Sequence, residues 1–176
     1  MFARLFKAGA EKKNAYRMYQ SLVAQARSTA FYAEMDVPDT VEGRFDLILL
    51  HVFLIDERLE AGGDVYIRLR RFIQEVMVSD MDRSFRELGV GDMSVGKEMK
   101  KVGAALLGRK AAYKEALAET ASEGALAEAI TKNVYKGEEC EGLDKLTSYI
   151  IEARKALAAA EVGAPAECDL TFIAAK

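Results

Sequence analysis

Residues 47–55 read LILLHVFLI, and His51 is the only member of the run that is not apolar. Apolar residues at consecutive positions occupy every side of an α-helix, so a helix that carries them has to be surrounded by protein. Nine residues fall well short of the roughly 20 that a helix needs to cross a bilayer. The stretch therefore predicts a central buried helix of a protein that does not span a membrane.

The ends of this helix are marked by residues that disfavour or cap helices. Pro38 restricts the residue before it to extended conformations, and Asp39 followed by Glu42 has the spacing of a capping box. Gly62-Gly63 interrupts the pattern on the other side, as expected at the end of a helix. We predict that the helix spans about residues 40–60.

The rest of the chain also favours helices, because it holds only two prolines in 176 residues and its apolar residues recur at intervals of three and four. We predict further helices from Tyr16, from about residue 65 to Leu88, and from Val95 to Tyr113, with two alanine-rich helices at 119–135 and 143–160. The fold class is thus all-α, a single compact multi-helix domain of about six helices, one of which is the central buried helix. We divide the chain into a basic amphipathic segment (1–12), a helical domain (13–160) and a flexible tail (161–176).

The overall composition excludes several classes of protein. Twenty-five Lys and Arg against 28 Asp and Glu leave a net charge of -3, whereas nucleic-acid binders carry a basic excess. Cys140 and Cys168 are too far apart for a zinc or dithiol motif and too few for a disulfide framework. The N-terminus lacks the apolar segment of a secretory signal, so we expect a cytoplasmic location.

Catalytic and metal-binding patterns are weak. His51 is the only histidine, its helical neighbours are apolar, and one histidine cannot supply the usual nitrogen ligands of zinc. Arg44 and Arg58 lie seven residues to either side of it and share its side of the helix, while Arg109 is in line with the apolar stripe of a later helix. Arg44, His51 and Arg58 form either a polar seam paired to acids on a neighbouring helix or a functional stripe, and an alternative places a small anionic ligand among His51, Arg44 and Arg109. We predict no enzyme activity, no metal and no cofactor.

Two sets of residues are better suited to binding apolar partners. Around the turn between the third and fourth helices, methionines offer adaptable thioether side chains; they are Met77, Met81, Met93 and Met99. At the N-terminus, apolar and basic residues share a short helix suited to a membrane surface; they are Phe2, Arg4, Leu5, Phe6 and Lys7. We expect client or partner binding at the first set and membrane contact at the second.

Several blocks of sequence, in the same order, resemble the ubiquinol-cytochrome c chaperone family, whose members are assembly factors of respiratory complex III. The resemblance covers roughly residues 16–135. It is carried by Tyr16, Gln25-Ala26-Arg27, Phe31-Tyr32, Val37-Pro38-Asp39-Thr40, Gly43-Arg44-Phe45-Asp46, His51, Arg58-Leu59, Met81-Asp82-Arg83, residues 86–92 (RELGVGD), Gly108-Arg109, Tyr113 and Asn133-Val134-Tyr135.

The resemblance implies a chaperone that binds newly synthesised cytochrome b and supports assembly of ubiquinol-cytochrome c reductase. It also implies a place beside the inner membrane, on the matrix side in a mitochondrion, and contact with a small partner protein or the ribosome. Arg44, His51 and Arg109 would then line a client groove or lock the helices together. Two other functions stay open, a helical enzyme or small-ligand-binding protein that uses those three residues, and a scaffold for a soluble helical partner.

Overall fold

The computed structural model describes the backbone of residues 2–175 and the side chains of residues 6–175. Within that part of the chain the secondary structure is entirely helical, so the all-α prediction is confirmed. Six helices have nine residues or more, as expected, and one further helix is a single turn. The elements are α1 Phe2–Ala26, α2 Thr29–Ala33, α3 Val41–Ala61, a 3₁₀ turn Asp64–Tyr66, α4 Ile67–Glu87, α5 Asp92–Ala116, α6 Ala125–Asn133 and α7 Leu143–Ala159.

Helix α3 is the centre of the fold, as the run at 47–55 predicted. Every residue from Asp46 to Asp56 is buried, and α1, α4, α5 and α7 all pack against the helix. Such complete enclosure stabilises the domain, because each fully buried large apolar side chain contributes about 1.5–3 kcal/mol.

The N-terminal cap of α3 differs from the predicted one by a single position. Thr40, not Asp39, is the cap, and its side-chain hydroxyl accepts a hydrogen bond from the Gly43 amide at 3.0 Å. Asp39 instead accepts from Nε of Arg44 at 2.6 Å. The helix starts one residue later than the capping-box spacing implies, because Thr40 supplies an extended backbone and a hydroxyl at the position that needs both.

Helix α6 is shorter than predicted. It begins at Ala125 rather than near residue 119, since Gly124 has a φ of +88°, a left-handed conformation that an α-helix cannot contain. The alanines before it lie in a turn, because high helix propensity alone does not form a helix without a face to bury.

Residues 161–175 follow α7 without regular secondary structure; we call them the C-terminal strap. Cys168 and Leu170 are buried against the helices. Asn14 of α1 donates to the carbonyls of Pro165 and Cys168, both at 2.9 Å. These contacts do not fit the flexible tail that the sequence suggested.

None of the helices within residues 2–175 has the length and apolar character required to cross a membrane.

Candidate functional site

An apolar groove opens between the first half of α3, the second half of α4 and the middle of α5; we call it the α3–α4–α5 groove. Its volume is about 390 Å³. Ile48, Met81 and Val102 are buried in its floor, and the half-buried Phe45 and Phe85 stand beside them. At the rim, Val41 and Leu88 are 56% and 61% exposed. An apolar surface of this kind in a concave position is typical of a binding site for an apolar partner.

An ion-pair cluster of the buried Asp46, Arg109 and the half-exposed Lys136 lines one end of the groove. The side chain of Asp46 is only 1% exposed and pairs with both cations. Burial raises the pKa of Asp46, outweighing its hydrogen bond to Lys136 and the attraction of Arg109. The cluster thus fixes α3 to α5 and to the residues after α6 at a cost in desolvation, which is how buried ion pairs commonly behave.

Arg109 connects this cluster to the groove. Its guanidinium carbon lies 5.9 Å from the centre of the Phe45 ring, within the range of a cation–π contact. Its Nε and the hydroxyl of the fully buried Tyr113 have no hydrogen-bond partner among the described residues. Buried polar atoms without partners are rare in folded proteins, and both of these atoms lie behind the groove surface.

His51 lies outside the groove, in an aromatic cluster with Phe31, Tyr149 and Phe172. Its Nδ1 contacts the Leu47 carbonyl at 2.7 Å, and its Nε2 contacts the Tyr149 hydroxyl at 2.9 Å. The ring is completely buried, and this burial lowers the pKa of His51 to about 4. The imidazole is therefore neutral at pH 7, with Nδ1 donating to the carbonyl and Nε2 accepting from Tyr149.

The two arginines that share the side of α3 with His51 have separate partners. Arg44 is exposed and paired with Asp39. Arg58 donates to the carbonyls of Leu157 and Ala160, both at 2.7 Å. This arginine of the predicted polar seam therefore bonds to main-chain carbonyl groups and not to acidic side chains. Arg44 and Arg109 line the groove, but His51 does not. The small-ligand alternative requires His51, Arg44 and Arg109 to line one pocket, and in the described structure they do not.

The four methionines do not form one surface. Met77 is fully buried and Met81 lies in the groove floor, because the two are four residues apart on the core-facing side of α4. Met93 is completely exposed at the start of α5, and Met99 is half-buried. Of the predicted set, the structure therefore places only Met81 in the groove, and Met77 has no surface to offer a partner.

The proposed membrane segment is only partly described. Phe6 and Lys7 are both exposed at the start of α1. The side chains of Phe2, Arg4 and Leu5 lie outside the described residues.

Several groove residues were not recognised as functional from the sequence. Leu88 follows the last residue of α4 and is 61% exposed at the groove rim, and Phe85 is half-buried in the groove. Asp46 and Lys136 are 90 residues apart, a separation that no local pattern bridges. The available signal was the resemblance itself, since the blocks at 43–46, 81–83 and 86–92 all reach the groove or its edge.

No group of acidic, histidine and cysteine side chains suited to a metal ion occurs in the described part of the chain.

Comparisons with known proteins agree with one another. The sequence model of the family described as Ubiquinol-cytochrome C chaperone matches residues 33–164. A solved structure, the Cbp3 homolog from Brucella abortus, has a TM-score of 0.84 and 35% identity, covering 98% of this chain and 97% of that one. The Mus musculus protein named Ubiquinol-cytochrome c reductase complex assembly factor 1 is 31% identical over 85 residues. That match covers 48% of this chain and 29% of the mouse protein, so the chain spans less than a third of this relative.

Proposed function

The chain belongs to the ubiquinol-cytochrome C chaperone family, and from that premise we propose that it supports the assembly of ubiquinol-cytochrome c reductase. Its client in this proposal is newly synthesised cytochrome b, an apolar membrane subunit. The mouse relative is named for assembly of the same complex. The α3–α4–α5 groove supports this proposal, because it offers a candidate binding site for the client.

The groove suits an apolar helical client. Its floor and rim offer aliphatic and aromatic side chains, and large apolar side chains of a client would replace water there. Arg109, held over Phe45 by its pairing with Asp46, adds a cation at one end of the groove.

The place of action follows from the nature of the client. We propose that the protein works in the cytoplasm beside the inner membrane, or on the matrix side in a mitochondrion. Phe6 and Lys7, both exposed, would help to hold it at the lipid surface. A small partner protein or the ribosome would deliver the client in this arrangement.

The proposal is tested first by site-specific crosslinking in cells. A photo-crosslinker in place of Leu88 is expected to trap cytochrome b during its synthesis. Leu107 provides a matched control, because it is a 70% exposed leucine that does not line the groove. Equal trapping from both positions, or none from Leu88, would contradict the groove assignment.

The proposed function itself is tested by deleting the gene. A strain without the gene is expected to lose assembled complex III while other respiratory complexes persist. Normal complex III in that strain would contradict the proposed function.

A second prediction concerns the rim of the groove. Leu88→Asp is expected to lower the amount of cytochrome b captured by the protein about tenfold, because a carboxylate would have to be desolvated against an apolar client. Since Leu88 is exposed, the unfolding free energy should change by less than about 0.5 kcal/mol. Leu107→Asp serves as the control and should retain capture. Capture is measured by co-purification of cytochrome b with each tagged variant, and unchanged capture by Leu88→Asp would argue against the groove.

A further inference from the structure

The outer face of α1 carries a row of exposed polar and aromatic side chains. Positions seven residues apart on a helix share one side, and four such positions are all exposed, Phe6, Lys13, Gln20 and Arg27. Arg27 continues the last turn of α1, because its amide donates to the Val23 carbonyl at 3.1 Å. Tyr16 is also exposed and lies between Lys13 and Gln20 on this side. The row therefore extends along the whole helix.

This face is basic although the protein is acidic. Residues 6–27 contain five Lys and Arg and a single acid, a local net charge of +4 against -3 for the whole chain. That acid, Glu11, is buried and paired with Arg68. Within the described residues, the other ion pair of α1 joins Arg17 to Asp169 at 3.9 Å. The exposed Lys12, Lys13 and Arg27 take part in neither pair.

A groove of about 650 Å³ lies beside this row, between α1 and α4; we call it the α1–α4 groove. Half-buried valines of both helices line it, Val23 and Val76. Its two acids already have partners, since Glu75 pairs with Arg71 at 3.1 Å and Asp80 with Arg83 at 3.0 Å. Among its charged lining residues, Lys12 and Arg27 are thus the ones left to meet an external anion.

An anionic lipid surface matches these features. Helices that lie in the interface of a membrane combine Lys and Arg with aromatic and aliphatic side chains along one face. Helix α1 has 25 residues and is therefore about 37 Å long, so a flat surface can contact the entire row. The Tyr16 hydroxyl accepts a hydrogen bond from Gln20 at 3.0 Å, which leaves its own proton to donate to a headgroup phosphate.

We infer that the outer face of α1, together with the α1–α4 groove, binds the surface of a membrane that contains anionic phospholipids. Lys12, Lys13 and Arg27 contact headgroup phosphates, and the valines of the groove meet the adjoining apolar part of the lipids. The inference deepens the proposed function, on which it rests for the presence of a membrane. Arg27 and Asp80 line both the α1–α4 groove and the α3–α4–α5 groove, so the lipid surface lies beside the client site.

Vesicle sedimentation with the purified chain tests the inference. The protein is expected to sediment with vesicles of phosphatidylglycerol and phosphatidylcholine and to stay in solution with phosphatidylcholine alone. Lys12→Gln/Lys13→Gln is expected to lower the partition coefficient about fivefold for each lysine, because each lysine near an anionic lipid surface contributes about that factor. Failure to sediment with the anionic vesicles would overturn the inference, and would leave the face to an acidic protein instead.

A matched variant on another helix separates this face from general attraction between charges. Lys97 and Lys100 of α5 are also exposed, and they do not line the α1–α4 groove. Lys97→Gln/Lys100→Gln makes the same change in net charge, yet it is expected to keep the partition coefficient within about twofold, because distant charges are screened by salt. An equal loss from both double variants would assign binding to no particular face and overturn the inference.

A fluorescent probe locates the lipid contact. The chain has no tryptophan, so Tyr16→Trp introduces a single indole on the outer face of α1. Leu107→Trp introduces one at an exposed position of α5. Anionic vesicles are expected to shift the emission of the first variant to shorter wavelength, because its indole enters the headgroup region, and to leave the second unchanged. No shift for Tyr16→Trp, or a larger shift for Leu107→Trp, would overturn the inference.

The inference and the proposed function fail by different results. The vesicle experiments contain no cytochrome b, so a lack of lipid binding overturns the inference without touching the assignment of the client. Normal complex III in the deletion strain contradicts the proposed function, whatever the vesicles show.

Discussion

Gly43→Ala is expected to lower the unfolding free energy by about 3–5 kcal/mol, an unusually large effect for the addition of one methyl group. Gly43 lies in the first turn of α3 and is buried. A Cβ atom at this position would overlap the backbone carbonyl of Pro38, and it would also approach the Pro38 side chain. The same carbonyl accepts a hydrogen bond from the Thr40 amide at 2.8 Å, so it cannot move away without disturbing the cap of the central helix.

The effect is separated from the general influence of alanine on helices by Gly103→Ala. Gly103 lies within α5 and is exposed, and nothing is within 4 Å of the position that its Cβ would take. Alanine there should stabilise the protein by about 0.5–1 kcal/mol, since glycine loses more backbone entropy on folding. Urea unfolding followed by circular dichroism measures both variants. A Gly43→Ala protein as stable as the wild type would show that the segment at Pro38 yields easily, contrary to the packing described.

The fold was predictable because its central feature is local. A helix that is apolar on every side has to lie in the core. The residues that end such a helix are its neighbours in the sequence, so both ends of α3 were predicted to within one or two residues. The cap was misassigned by one position because Asp39 and Thr40 are both good capping residues, and the choice depends on which backbone is extended. Helix α6 was predicted too long because an alanine-rich sequence has high helix propensity but does not mark where the helix begins. The left-handed Gly124 sets that boundary.

The groove was less predictable, because it depends on contacts between distant parts of the chain. An arginine in an apolar stripe pointed to Arg109, but its partner Asp46 lies in the first turns of the buried helix, 63 residues away. Leu88 stands exposed at the rim because helix α4 ends just before it. Methionine composition grouped Met77 with Met93, yet one is in the core and the other is fully exposed, since helical position rather than residue type decides burial.

Lowering the pH from 7.5 to 5.5 is expected to reduce the unfolding free energy by about 1.3 kcal/mol through His51 alone, and by about 2.9 kcal/mol when pH 4 is reached. In the unfolded chain the imidazole has an ordinary pKa near 6.5, whereas burial holds its pKa near 4 in the folded protein. Above pH 6.5 both states are neutral there, and stability does not depend on this group. Between pH 6.5 and 4 the unfolded chain binds a proton that the folded protein excludes, so stability falls as pH falls.

The window from pH 7.5 to 5.5 isolates His51 from the other groups. Burial raises the pKa of its neighbour Tyr149 to about 12, so that tyrosine stays protonated throughout. The paired Asp56, whose pKa is lowered, and the buried Asp46, whose pKa is raised, are present in both the wild type and His51→Gln, so their effects cancel when the two proteins are compared. His51→Gln should therefore remove most of the slope in urea unfolding experiments between pH 7.5 and 5.5. Should that variant not fold, NMR titration of the wild-type imidazole gives the answer directly, and a folded-state pKa above about 6 would contradict the buried neutral histidine.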